Sequence, residues 1–287
     1  MIIAVVGPTG VGKTKLSVEL AKKLNGIVIN ADAVQVYRHL DIGSAKITEE
    51  EKEGIAHYLF DIKNPDEPYT VKDYQQDARK LIAKFHDKNI IFCGGTGLYL
   101  CATLQDYRFY DDVSNATYDD LSTMELYNKV KSKFPNSNID FNNRQRLIRA
   151  LNRSTKAIPE PKLLYENVII IGLTTTRDKL YDIINTRVEN MFTKGLVMEV
   201  KTLYDQYPQS RVLKTAIGYK EVIGYLNEEY TLEETKELIK KNSRHYAKRQ
   251  YTWFNNKMSV NWFDVDYENF SKTIKSVEKF IEEKIKE

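Results

Sequence analysis

The sequence has little of what marks a secreted, metal-rich or membrane protein. Only two of its 287 residues are cysteines, Cys93 and Cys101, too few for a disulfide framework. The four histidines are scattered and show no zinc-ligand spacing, so a structural metal site is not expected. No apolar run approaches the roughly 18 residues of a membrane span, and the N-terminus lacks a basic leader. These absences favour a cytoplasmic protein.

An excess of one charge sign is also missing. The chain has 43 Lys and Arg residues against 40 Asp and Glu residues, a net charge of +3. Any nucleic-acid partner must therefore be met by a local basic face. Hydrophobic residues make up 42% of the chain and charged residues 29%, a balance typical of globular proteins with one large or two modest domains.

The first half of the chain alternates short apolar runs with helical patterns. We predict strands at Ile2–Val6, 27–30 and Asn89–Cys93, a weaker one at 58–62, and helices at 14–24 and 71–86. Thr70, with Asp73 three residues later, forms a capping box before the second helix. This alternation predicts an α/β fold, a parallel-sheet core covered by helices.

Residues 107–165 interrupt this alternation. They are polar, contain no convincing buried strand and carry helix-like stretches at 118–134 and 143–153. A strongly apolar strand resumes at 168–173, followed by helical patterns at 177–194, 199–206 and after Thr231, a strand at 260–263 and an amphipathic C-terminal helix. We therefore predict a core of residues 1–106 and 166–287 with an inserted all-α domain at 107–165.

A phosphate-loop motif, G-x-x-x-x-G-K-[ST], lies between the first strand and the first helix. Its glycine-rich turn offers inward-pointing N–H groups, the helix N-terminus is positive, and the lysine adds a full charge. The motif does not distinguish ATP, GTP and a non-nucleotide diphosphate. Its eight residues are Gly7, Pro8, Thr9, Gly10, Val11, Gly12, Lys13 and Thr14.

Two further groups are expected at the same edge of the sheet. Asp32 follows the second strand, as a functional carboxylate or as a simple turn cap, and Gln35 could present its amide to a base. A second glycine turn, residues 94–97, follows Asn89–Cys93 where a P-loop ATPase usually has an acidic magnesium partner. That difference disfavours ordinary nucleotide hydrolysis, and the lack of an N-K-x-D motif disfavours a GTPase.

Arg187 falls in the middle of the apolar stripe of the helix at 177–194. A charge in that position should be paired, because burying it alone is costly. A phosphate is one suitable partner, and an internal carboxylate such as Asp61 is the other.

Two acid-poor basic stretches favour binding to a phosphate backbone over a merely solvated face. The first holds Arg144, Arg146, Arg149, Arg153 and Lys156. The second has seven positive residues against Glu237 alone, at Lys236, Lys240, Lys241, Arg244, Lys248, Arg249 and Lys257. Arg249 lies toward the apolar side of its helix and is expected to point at a ligand.

These residues together resemble the tRNA dimethylallyltransferase (IPP transferase) family. Beyond the phosphate loop, the most distinctive matches are Asp41-Ile42-Gly43-Ser44-Ala45-Lys46 and Ala247-Lys248-Arg249-Gln250 with Thr252-Trp253. The remaining matches span nearly the whole chain, at residues 30–37, 57–62, 94–100, 146–151 and 218–221.

The resemblance implies that dimethylallyl diphosphate places its diphosphate in the phosphate loop. Lys13, Arg187 and Mg²⁺ would hold it, with Thr14 as the metal ligand. The adenosine at position 37, 3′ to the anticodon of tRNAs reading codons that start with U, would be flipped into the site. Its N6 would attack the allyl group while Asp32 takes the proton and Thr96 hydrogen-bonds nearby. Diphosphate would leave intact from a monomeric enzyme.

The resemblance also assigns the tRNA-binding residues and a role for the insertion, which would clasp the anticodon stem. The implied contacts are Asp32, Ala33, Val34, Gln35, Thr96, Gln145, Arg146, Leu147, Ile148, Arg149, Gly218, Tyr219, Lys220 and Arg249. The chain departs from the family at Ala33, where serine is common, and at residues 152–156, which replace a longer segment. Two other functions stay open on the residues alone, a small-molecule P-loop kinase and a non-enzymatic RNA-binding protein.

Overall fold

A parallel β-sheet forms the centre of the protein. The computed structural model describes residues 1–109, 113–153 and 161–286. In chain order the strands are β1 (Ile2–Val6), β2 (Gly26–Asn30), β3 (His57–Tyr58), β4 (Asn89–Cys93), β5 (Val168–Thr174) and β6 (Asn261–Asp264). The six strands lie in the order β3-β2-β4-β1-β5-β6, and every pairing between them is parallel. The predicted α/β class is therefore confirmed.

Helices cover both faces of this sheet. Before the insertion they are α1 (Lys13–Lys23), α2 (Glu49–Lys52), α3 (Val71–Lys84) and α4 (Gly97–Leu104), and the insertion holds α5 (Thr123–Lys133) and α6 (Arg144–Asn152). After it come α7 (Arg177–Thr193), α8 (Leu196–Gln206), α9 (Arg211–Thr215), α10 (Tyr219–Leu226), α11 (Leu232–Lys257) and α12 (Phe270–Lys286). Within the described ranges no helix is long and apolar enough to cross a bilayer.

The sheet is buried on both faces, which explains its continuous apolar strands. Along β1, Ile2, Ala4 and Val6 join a core with α3, whereas Ile3 and Val5 join a second core with α1, α7 and α12. A third core lies among α7, α8, α10 and α11. Because ligands bind at the carboxyl ends of parallel strands, this arrangement brings the residues after β1, β2 and β4 to one edge.

Most predicted elements match, and the exceptions have local causes. β3 is two residues long instead of five, because Leu59 and Asp61 adopt positive φ angles of 62° and 54°. The helix predicted at 199–206 begins at Leu196, since Gly195 has a left-handed φ of 98° and caps its N-terminus. The capping box predicted at Thr70 is present, and Thr231 forms another with Glu234 at the start of α11.

The insertion forms a compact unit of its own. Contacts divide the chain into two units: residues 1–105 together with 163–287 form the larger one, and residues 106–162 form the smaller one. The insertion was predicted at residues 107–165. The core of the smaller unit is built by α5 and α6, from Leu126, Val130, Leu147, Ala150 and Leu151. Arg144 joins these helices to the preceding loop, since its guanidinium donates to the carbonyl oxygens of Leu121 and Tyr118 at 2.7 Å each. Lys156 lies outside the described residues.

The independent core of the insertion can be tested with Leu147→Ala. Leu147 is completely buried, so its truncation should destabilise this unit by about 2–5 kcal/mol through the lost contacts and the cavity left behind. Hydrogen exchange should report faster opening of α5 and α6 with little change in the central sheet. The control Met124→Ala removes a side chain that is 54% exposed and should have no comparable effect. Equal loss of protection in the sheet would contradict two separate cores.

Candidate active site

The phosphate loop runs from the end of β1 to the start of α1. Gly7 and Gly12 have φ angles of 134° and 86°, which strongly favour glycine. A Cβ at Gly7 would also lie 2.5 Å from the carbonyl oxygen of Leu173 on β5. α1 has no side-chain N-cap and no acidic residue in its first turn. Its first N–H groups are therefore available for an anion.

Lys13 lies in the first turn of α1, bent back over the loop. Its Nζ donates to the carbonyl oxygen of Pro8 at 2.6 Å. Burial lowers the pKa of Lys13 to about 8; the neighbouring Arg187 pushes it in the same direction and Asp32 opposes it. Because an anion would offset the cost of this burial, Lys13 is suited to hold a phosphate group.

Arg187 reaches the same site from α7. Its guanidinium donates to the carbonyl oxygen of Ser44 at 3.3 Å, burial lowers its pKa, and the charge of Asp32 acts in the opposite direction. The internal ion pair with Asp61 considered above is not formed, because Asp61 pairs with Lys46 at 2.6 Å. Within the described residues no carboxylate lies within 4.0 Å of Arg187, which leaves it available to an anion.

Asp32 is a turn cap through one of its two carboxylate oxygens. Its Oδ1 accepts from the N–H of Val34 at 2.9 Å, as a turn cap does. Its other oxygen has no hydrogen bond from the described residues. The buried Asn30 fixes the Asp32 backbone, accepting from its N–H at 2.9 Å and donating to its carbonyl at 3.0 Å. One carboxylate oxygen is therefore held in place, and the other is available for chemistry.

The second glycine turn contacts the Asp32 turn directly. The N–H of Thr96 donates to the carbonyl of Ala31 at 3.0 Å, and Thr96 Oγ1 accepts from the N–H of Ala33 at 3.1 Å. A Cβ at Gly94 would lie 2.2 Å from the backbone of Ala31, so glycine is required for this approach. The turns after β2 and β4 thus place Thr96 beside Asp32.

The long helix α11 closes over the same glycine turn. Gln250 Nε2 donates to the carbonyl of Gly95 at 3.1 Å, and a Cβ at Gly97 would lie 2.1 Å from the ring of Trp253. These contacts explain why both residues belong to the distinctive C-terminal motif. Arg249 was expected on the apolar side of its helix, but its side chain is exposed, with its guanidinium 5.7 Å from the Tyr246 ring centroid. Its contact with a ligand stays a prediction.

Tyr246 is a site residue that the sequence analysis missed. Burial raises the pKa of its phenol, and the nearby charge of Asp32 acts in the same direction, whereas a hydrogen bond with Thr96 opposes the shift. Its hydroxyl therefore lies among the groups that converge on Asp32. Nothing in the sequence analysis singled it out. The sequence signal that could have identified Tyr246 is its position one helical turn before Gln250 of the distinctive motif.

The loop that carries the Asp41–Lys46 motif is held by a carboxylate that the sequence did not identify. Glu199 on α8 accepts from the N–H groups of Asp41, Ile42 and Gly43, at 2.7 to 3.1 Å. Gln35 Nε2 donates to the carbonyl of Ser44 at 3.1 Å. The amide donor expected to read a base therefore serves to hold this loop.

The predicted tRNA-binding residues of the insertion differ in exposure. Gln145, Arg146 and Arg149 are exposed, Ile148 is half-buried, and Leu147 lies in the core of the unit. The side chain of Leu147 therefore stabilises the insertion in this structure and is not presented at its surface.

The predicted tRNA-binding residues around α10 are similarly divided. Lys220 is exposed, whereas Tyr219 is completely buried and donates to Glu199 Oε1 at 2.8 Å. The N–H of buried Gly218 donates to Glu221 Oε2 at 2.8 Å. Only Lys220 of the three presents a side chain at the surface.

Part of the basic stretch on α11 is neutralised by an acid from another helix. Glu189 on α7 pairs with Lys240 at 2.7 Å and with Lys236 at 3.4 Å. Glu237 is the only acid within this stretch, but Glu189 offsets part of its charge from a neighbouring helix. Lys241 and Lys248 remain exposed.

Comparison with known proteins identifies relatives over the full length. A sequence model of the IPP transferase family matches residues 35–257. The chain is 46% identical over 301 residues to the tRNA dimethylallyltransferase of Anoxybacillus flavithermus, covering 99% of this chain and 96% of that protein. It is 44% identical over 299 residues to the enzyme of the same name from Bacillus anthracis, covering 96% and 95%.

Solved structures with the same fold carry related names. The full-length tRNA isopentenylpyrophosphate transferase of Bacillus halodurans is 42% identical, with a TM-score of 0.77 over 99% of this chain and 98% of that one. A eukaryotic dimethylallyltransferase acting on tRNA is 26% identical, with a TM-score of 0.72 over 91% and 73%.

The charge of Lys13 predicts how anion binding depends on pH. A bound anion favours the charged lysine and raises its pKa above the free value of about 8. The affinity for inorganic diphosphate should therefore be highest below pH about 8 and fall as the pH rises through that value. Calorimetric titration of the protein and of Lys13→Met should show that this fall is lost in the variant.

The matched control is Lys15→Met, which removes an exposed lysine of the same helix. It should keep the pH dependence, and any titration of diphosphate itself will be common to all three proteins. The same fall in affinity in Lys13→Met would show that another group is responsible.

Proposed function

The chain belongs to the IPP transferase family, and we propose that it prenylates tRNA in the way its site chemistry allows. It transfers a dimethylallyl group from dimethylallyl diphosphate to N6 of adenosine 37, next to the anticodon of tRNAs that read codons starting with U. Diphosphate is released. The observation that carries the proposal is the convergence of Lys13, Arg187 and Asp32, two cations and one carboxylate. Arg187 and Asp32 both act on the pKa of Lys13, and Asp32 acts on the pKa of Arg187.

The donor binds through its diphosphate. The glycine-rich loop and the N-terminus of α1 donate N–H groups to the phosphate oxygens. Lys13 and Arg187 add two positive charges, and Arg187 can bind two oxygens at once through its planar guanidinium. These contacts strengthen as negative charge develops on the leaving group, so they favour the transition state over the bound donor.

A magnesium ion bound with the donor fits this site. The described residues contain no cluster of three acidic, histidine or cysteine side chains that could hold a metal alone. Magnesium usually binds through substrate phosphates, waters and few protein groups, and the hydroxyl of the exposed residue Thr14 would be the protein ligand. Bound there, the ion would neutralise charge on the departing diphosphate.

The transfer itself needs a base and no hydrolysis. The lone pair of N6 forms a bond to C1 of the allyl group, and the C1–O bond breaks with its electrons leaving on diphosphate. N6 then carries an excess proton, which passes to the free oxygen of Asp32. Thr96 and Tyr246 hold the polar edge of the adenine beside this oxygen.

The tRNA is recognised outside the reaction centre by the exposed basic side chains. The adenosine must leave its stack to reach Asp32, as in other enzymes that act on a base. The insertion holds the anticodon stem through Arg146 and Arg149, and Lys220 and Arg249 contact the RNA from the core unit. The enzyme acts in the cytoplasm as a monomer.

Asp32→Asn tests the base directly. Asparagine keeps the oxygen that caps the turn at Val34 but is not a base, so turnover should fall by roughly 10²- to 10⁴-fold. The assay incubates protein, Mg²⁺, dimethylallyl diphosphate and unmodified tRNA, and measures isopentenyl-adenosine by mass spectrometry. Asp205→Asn, at an exposed position on α8, should leave turnover unchanged.

Two results would count against the proposal. No prenylated adenosine from the folded wild-type protein would refute the activity. A loss of less than threefold in Asp32→Asn would leave the activity in place and remove Asp32 as the base.

Arg146→Ala tests the contact of the insertion with RNA. Loss of one phosphate contact should weaken tRNA binding and reduce the salt slope of log K by about 1, since fewer counterions are released. Binding would be measured by filter retention over a series of salt concentrations. The control Arg177→Ala removes an exposed arginine of α7 and should leave the slope unchanged. An unchanged slope in Arg146→Ala would identify this side chain as a solvated charge.

A further inference from the structure

One carboxylate, that of Glu199 on α8, organises the motif loop, residues 41–46. Its Oε2 accepts from the N–H groups of Asp41 at 3.1 Å and Ile42 at 2.7 Å. Its Oε1 accepts from the N–H of Gly43 at 3.1 Å. Three successive backbone N–H groups thus converge on one side chain, and hydrogen bonds to a charged acceptor are stronger than those between neutral groups. The conformation of the motif loop therefore depends on Glu199.

Tyr219 at the start of α10 joins this carboxylate to the next residue of the motif loop. The side chain is completely buried, and its hydroxyl donates to Glu199 Oε1 at 2.8 Å. Burial and the charge of Glu199 raise the pKa of the phenol, whereas a hydrogen bond with the backbone of Ser44 acts in the opposite direction. A Cβ at Gly43 would lie 2.5 Å from the Tyr219 ring, so the ring lies directly against the loop backbone. Glu199 and Tyr219 together hold residues 41–44.

The motif loop places the carbonyl oxygen of Ser44 against Arg187. The guanidinium of Arg187 donates to this oxygen through Nη2 at 3.3 Å, and Gln35 Nε2 donates to the same oxygen at 3.1 Å. A neutral carbonyl fixes the direction of a guanidinium without cancelling its charge, and a guanidinium has five N–H donors. The motif loop therefore sets the direction of Arg187 and leaves its charge available to an anion.

We propose that Glu199 is a positioning residue for the transfer reaction, which acts through the motif loop to hold Arg187 where it binds the diphosphate of the donor. Glu199 contacts the backbone of residues 41–43, and the carbonyl of Ser44 contacts Arg187, so the effect passes along one short segment of chain. This inference rests on the proposed function, since that function gives Arg187 the role of binding the leaving group.

Glu199→Gln disturbs this arrangement with almost no change in side-chain volume. Each oxygen of Glu199 accepts two hydrogen bonds, from backbone N–H groups or from the Tyr219 hydroxyl. An amide has one oxygen and one NH₂ group, and the NH₂ group cannot accept. In either orientation the variant therefore loses two acceptor contacts and the negative charge. We expect the carbonyl of Ser44 to lose its fixed position beside Arg187.

A double-mutant cycle tests whether Glu199 acts through Arg187. The affinity for inorganic diphosphate is measured by calorimetric titration for the wild-type protein, Glu199→Gln, Arg187→Ala and the double variant. Glu199→Gln should weaken binding by about 3- to 30-fold in the wild-type background, a range typical of residues that act through a network. In the Arg187→Ala background it should change the affinity by less than about twofold, because the group that it positions is absent. A merely structural effect would be the same in both backgrounds.

Two further variants complete the cycle. Glu283→Gln makes the same substitution at an exposed position on α12 and should keep the wild-type affinity. Tyr219→Phe removes one hydroxyl of the arrangement and keeps the buried ring, so it should weaken binding only where Arg187 is present. If circular dichroism shows that Glu199→Gln does not fold, the cycle of Tyr219→Phe with Arg187→Ala decides the question by the same thresholds.

The possible failures are distinct. A loss of affinity below threefold in the wild-type background, or of twofold or more in the Arg187→Ala background, would overturn the inference and leave the proposed function intact. No binding of diphosphate by the folded wild-type protein would overturn both.

Discussion

In the proposed function, the binding of a diphosphate anion is the interaction on which the rest of the site depends. Lys13 and Arg187 are brought together without an ion-paired carboxylate within 4.0 Å of either among the described residues, and burial lowers the pKa of both. The N-terminus of α1 adds further positive potential. Such a cluster is costly in the free protein and is stabilised once a multiply charged anion neutralises it. In the proposed function, the free energy of donor binding would therefore be concentrated at the group that leaves.

Parallel strands position this anion beside the base, but they do not do so alone. Asp32 and Thr96 follow neighbouring strands, and their turns touch because Gly94 lacks a side chain. Asn30 then fixes the direction of the Asp32 backbone from within the core. The position of the Asp32 carboxylate thus depends on buried groups. Substituting one of these groups would shift the carboxylate, although Asp32 itself would still be present.

The sequence was informative where local rules decide the structure. The strand–loop–helix around Lys13, the capping box at Thr70 and the buried strands followed from spacing and composition alone. The contacts of Glu199 and Tyr246 did not, because each lies far along the chain from the turn it contacts. The partner of Asp61 could not be derived from the sequence either, since only the fold shows that Asp61 pairs with Lys46 and not with Arg187.

The residue at the end of β4 explains why a phosphate loop can serve group transfer without hydrolysis. In a P-loop ATPase an acidic residue there holds magnesium for attack on phosphorus. Here the position is Cys93, a thiol that burial keeps neutral. In the proposed reaction, Asp32 would be the carboxylate that borders the anion, and its free oxygen could accept a proton because it would not have to hold a metal. With a thiol in place of this acid, the proposed reaction would take place at carbon and diphosphate would leave whole.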